Sequence, residues 1–172
     1  STMRGTDAHG RAERFAAVYS AVNRLRSRGL TVPFTWIASD GSCAGRHDQD
    51  RVLVPRDAWG IPYNEIRAVM GDCGLNAALD GWSNVLDCTV LGVPSLAWAG
   101  GIDSTIAEVA TRMGLLLDDG SSVERVSDVV ERLLLDDMLR CAYVNELQDR
   151  FADHIEAVTV RLFDQIVARV IA

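Results

Sequence analysis

The sequence predicts an α/β protein built on a doubly wound parallel sheet that lacks its first strand, with a helical C-terminal extension. Two observations carry this. The short continuous apolar runs TVPFTWIAS (31–39), RVLVP (51–55), LNAAL (75–79), PSLAW (94–98) and LLL (115–117) alternate with segments of helical periodicity, the pattern of strands covered on both faces by crossover helices. Polar and glycine-rich residues gather just after an apolar run at 80–87, and sheets of this kind bind ligands beyond the C-terminal ends of their strands.

The elements follow in order. From Ala8 to Arg28, Phe15, Val18, Tyr19, Val22 and Leu25 recur at helical spacing. Arg11, Arg14, Arg24, Arg26 and Arg28 fall mostly off that face, and Gly29 ends the helix. Strands at 31–39 and 51–55 flank a polar loop, DGSCAGRHDQD. Pro62 suits the first turn of a helix that runs to Gly74. A strand at 75–79, a helix at 83–91 and a strand at 94–98 come next. Asp103 caps a helix in which Ile106, Val109, Ala110 and Met113 share one face. After the strand at 115–117, two or three helices fill 121–172. A doubly wound domain has a strand before its first helix; here only Ser1 to Met3 could be that strand's tail.

The 172 residues fit one domain, or one domain with an extension, and 48% hydrophobic content suffices for a sizeable core. A net charge of −7 argues against nucleic acid or an anionic membrane as partner. No apolar run is long enough to span a membrane, and no signal peptide is visible. Cys43, Cys73, Cys88 and Cys141 lie at no metal-like spacing; Cys73 and Cys88 read as core thiols, and the chain as a cytoplasmic protein.

Residues 80–87 carry the chemistry. A helix beginning near Ser83 presents unpaired amides and the positive end of its dipole, a site for an anion such as a diphosphate. Gly81 lets the backbone come close to a ligand. Asp87, one turn in, suits two adjacent ribose hydroxyls. The same residues also fit a plain strand end, a helix cap and a solvated carboxylate.

The run DGWSNVLDCTVLGVPSLAWAGG (80–101) resembles the donor-site segment of GT-B glycosyltransferases of the glycogen-synthase and mannosyltransferase-like group. Its LDCTVLGVPSL portion is also similar to O-GlcNAc transferase-type enzymes. The likeness extends over most of the chain, as one lobe of a two-lobe enzyme, and implies the Rossmann-like C-terminal lobe of a GT-B fold. Residues 1–135 would then form the nucleotide-sugar-binding domain. Residues 136–172 would be helices packing on it and on an absent N-terminal, acceptor-binding lobe.

The resemblance implies that Asp87 holds the ribose and that Ser83, Asn84 and Val85 offer amides to the diphosphate beside Gly81. Arg4 and Arg11, with His9 as alternative to Arg11, would neutralise the diphosphate. The base pocket would lie at Pro55 to Asp57, including Arg56. Asp80 would be the catalytic-site residue, matching the first acid of the family's acid pair, which touches the donor sugar. Two departures stand out: six residues separate Asp80 from Asp87 where the family has seven, and both are Asp rather than the usual Glu, so each reaches about one methylene less.

The expected activity is transfer of a sugar from a nucleotide diphosphate sugar, with this chain the donor-binding half, inactive alone. No cofactor is expected, and no metal. The D-x-D at 48–50, with His47, is the weaker metal candidate. Of Trp36, Trp59, Trp82 and Trp98, only Trp82 sits inside the site loop; His154 reads as a surface residue. Alternatives are a GT-B-like sugar-nucleotide epimerase, or a Rossmann-like binding or assembly module without catalysis. The chain has no lysine, which removes a pyridoxal-phosphate phosphorylase. Ile155, Val158, Leu162, Ile166 and Val170 form an apolar stripe, widened by Val160, Phe163, Val167 and Ile171, from which self-association is expected. Any membrane contact would belong to the missing part.

Overall fold

The computed structural model describes residues 8–37, 50–53, 63–77, 82–100 and 102–152. Helix α1 (Ala8–Ser27) leads into strand β1 (Phe34–Ile37), which pairs in parallel with β2 (Asp50–Leu53). Helices α2 (Tyr63–Asp72) and α3 (Trp82–Val90) follow. Strand β3 (Ala97–Trp98), helix α4 (Ser104–Arg112) and strand β4 (Leu116–Leu117) come next, with β3 and β4 parallel. Helices α5 (Val123–Leu135) and α6 (Asp137–Arg150) close the described part. The protein is thus mixed α/β, mostly helical, with short parallel strands.

The helices lie close to their expected positions, and Asp103 caps α4 by accepting the Thr105 amide at 2.8 Å. Within the described residues the strands are shorter than the expected runs. The 75–79 run is reduced, within the described residues, to a parallel bridge from Asn76 to Ser95, and the 94–98 run to two residues of strand. Proline accounts for two of the late starts. Neither Pro33 nor Pro94 has an N–H to give a ladder, so β1 begins at Phe34, while the Pro94 carbonyl only accepts, from the Asn76 amide at 2.9 Å.

Asn76, Ser95 and β3 nevertheless continue one another. Leu96 N–H donates to Asn76 O at 2.9 Å, and Ala99 N–H donates to Leu117 O at 2.7 Å. The Asn76 segment, the 95–98 segment and β4 therefore run as three parallel neighbours, joined by α3 and α4 as crossovers. The strand expected ahead of α1, and the apolar stripe at 155–171 with His154, lie outside the described residues.

One core holds these parts together. Val18, Ala21 and Leu25 of α1 meet Leu96 to Trp98, Ile106, Val109 and Ala110 of α4, Leu115 and Leu117, Val126 to Leu133 along one face of α5, and Tyr143 and Leu147 of α6. Phe34, Leu75 and Ala77 pack against the same cluster. Burying each such aliphatic side chain contributes roughly 1.5–3 kcal/mol. Along the chain α1 packs on α5, while α3 and α4 pack on α6.

Two glycines end helices where a side chain would strain. Gly92, after α3, has φ +75°, and Gly114, after α4, has φ +64°. At the second, Arg125 and Arg132 of α5 both donate to the Gly114 carbonyl, at 2.6 and 3.1 Å, closing the exposed end of α4.

Candidate functional site

Helix α3 starts five residues after Ala77, the last described residue of the segment that bridges in parallel from Asn76 to Ser95. Ser83, Asn84 and Val85 lie in that turn, where helix amides have no intrahelical acceptor. Val85, Cys88 and Thr89 form the buried face of α3. Asn84 is exposed and Asp87 half-buried on the other flank. The Val85 side chain is thus an anchor, and only its backbone amide could serve a ligand.

The far end of α3 is held in place. Thr89 Oγ1 donates to Val85 O at 2.8 Å, and Gln148 Nε2 on α6 donates to Thr89 O at 2.8 Å. The direction of the α3 axis, and of its dipole, is therefore set by docking on α6.

Of the other expected site residues, Arg11 lies in the first half of α1, with His9. Arg4, Arg56, Asp80 and Gly81 lie outside the described residues, as do Pro55 and Asp57. Trp82 is the first residue of α3, and Trp98 is a core residue.

The D-x-D motif loses one of its acids to structure. Asp50 Oδ1 accepts from Arg26 Nη2 at 2.6 Å, and Asp50 Oδ2 accepts from the Tyr19 hydroxyl at 2.6 Å. With both oxygens engaged and the side chain buried, Asp50 serves as the anchor between α1 and β2. His47 and Asp48 lie outside the described residues.

Cys73 and Cys88 are core thiols. Cys88 is fully buried and Cys73 packs against the same small cluster, formed by Met70, Cys88 and Val93. Burial, followed by the neighbouring Cys73, pushes the Cys88 thiol up to about 12. Burial likewise raises Cys73. Cys141 is exposed.

The sequence reading missed Arg14. It was expected off the buried face, yet only 4% of its side chain is exposed. Its Nε donates to Asp119 Oδ1 at 2.6 Å, its Nη2 donates to Ala99 O at 3.3 Å, and its guanidinium lies 5.2 Å from the centre of the Trp98 ring. A planar, weakly hydrated guanidinium suits this combination of fork, carbonyl and aromatic face. The hydrogen bond from Arg14 holds the Asp119 carboxyl below its usual range, although Asp119 itself is 60% exposed.

Beside this group a cavity of about 410 Å³ opens between the first half of α1, Trp98 and the turn from β4 to α5. It lies at the C-terminal ends of β3 and β4. Its rim includes Glu13, Asp118 and Asp119. Asp118 shapes the turn, accepting from the Gly120 amide at 2.9 Å and from the Ser121 hydroxyl at 3.1 Å. The signal for Arg14 was present in the sequence: Arg14, Val18, Ala21 and Leu25 are spaced four, three and four apart, which places the arginine on the buried stripe.

Comparison with protein families, with curated proteins and with solved structures finds no match to this chain. Among the described residues, no helix is long and apolar enough to cross a membrane.

Proposed function

We propose that this chain is the donor-binding domain of a glycosyltransferase of GT-B type, taking a nucleotide diphosphate sugar. The observation that carries the reading is the first turn of α3, which begins five residues after the described end of the segment that bridges in parallel from Asn76 to Ser95, with Asp87 on its half-exposed flank. The amides of Ser83, Asn84 and Val85 would take the diphosphate, and Asp87 the ribose hydroxyls. Arg4 and Arg11 would add positive charge, and Asp80 would contact the sugar. Stabilising the departing diphosphate by oriented amides and arginines is then the main catalytic contribution. The acceptor site would belong to a second lobe.

The strand order supports the finer, Rossmann-like reading. The rows β2-β1 and Asn76-β3-β4 fit the two flanks of a doubly wound sheet of order 3-2-1-4-5-6. The strand ahead of α1 would occupy the centre.

Calorimetric titration with UDP and with GDP tests the reading. One of them should bind the wild-type chain, and Asp87→Ala should weaken binding by about 1–3 kcal/mol with an unchanged circular dichroism spectrum. Absence of heat with both nucleotides at millimolar concentration overturns it. Binding that survives chelation by EDTA would agree with the expected independence of metal.

A further inference from the structure

We draw no further inference here: the strongest candidate, the cavity between the first half of α1 and the turn from β4 to α5, carries nothing, because its rim is an acidic cluster of Glu13, Asp118 and Asp119, its Arg14 is already held by Asp119 and the Ala99 carbonyl, and no second observation points to a ligand.

Discussion

Arg26 and Asp50 form an ion pair shut away from water: Arg26 Nη2 lies 2.6 Å from Asp50 Oδ1, with 7% and 1% of the two side chains exposed. The same guanidinium donates to Val32 O, at 2.9 Å from Nε and 2.7 Å from Nη2. One arginine on the last turns of α1 thus fixes both the chain entering β1 and the first residue of β2. Removing one partner of a buried pair leaves an uncompensated charge, at a cost of about 3–5 kcal/mol. Asp50→Ala should lose stability on that scale in urea denaturation. A loss below about 1 kcal/mol would show that water reaches Arg26.

Tyr143 presents the opposite case. Its ring is fully buried in the core, and its hydroxyl has no hydrogen-bond partner among the described residues. A buried, unsatisfied hydroxyl costs about 1–3 kcal/mol. Tyr143→Phe keeps the ring and removes the hydroxyl, so it should raise the thermal midpoint. A fall in the midpoint would reveal a partner for the phenol.

Asp119 gives a pH dependence with a definite sign. Its folded-state pKa is lowered, first by the hydrogen bond from Arg14. Its contribution to stability is therefore present above the ordinary carboxylate pKa, roughly 3.9, and is lost as pH falls through the lowered folded value. The stability difference between the wild type and Asp119→Asn should be larger at pH 6 than at pH 3. Because Asp119 is well exposed, the difference is also screened by salt. Equal differences at both pH values would exclude the ion pair as its source.

Thiol reactivity should divide the described cysteines. Cys141 is exposed, whereas Cys88 is buried with its pKa pushed up to about 12. The thiolate is the reactive form. At pH 8 iodoacetamide should modify Cys141 first and Cys88 only on unfolding, as read by peptide mass spectrometry. Equal rates at the two sites in the native protein would place Cys88 outside a packed core.

The sequence showed the helices more clearly than the strands. Long amphipathic segments repeat their pattern over several turns, and Asp103 sits where a cap must. Strands of two residues, such as Ala97–Trp98 and Leu116–Leu117, are too short to express any period, and Pro33 and Pro94 shorten the runs that contain them. At the site, the position of Asp87 in α3 followed from local residues. The Arg14–Asp119 pair did not, because its members are 105 positions apart and an arginine is by habit placed in solvent. Asp50 looked like half of a metal motif because its partners, Tyr19 and Arg26, are contributed by helix α1, more than twenty positions earlier.

The packing of α1 on α5 sets the order of events on the ribosome. Arg24 of α1 pairs with Glu124 of α5 at 3.8 Å, and Arg28, just past the end of α1, pairs with Glu131 of α5, 103 positions away. At a synthesis rate of roughly 5–20 residues per second, α1 leads α5 by about 5–20 s. A helix can coil within about a microsecond, so α1 can form long before it can be covered. Throughout that interval Val18, Ala21 and Leu25 lack their final neighbours from α5. A nascent chain halted before Val123 would still present this stripe to whatever binds apolar helices, and release of that binder would mark the arrival of α5.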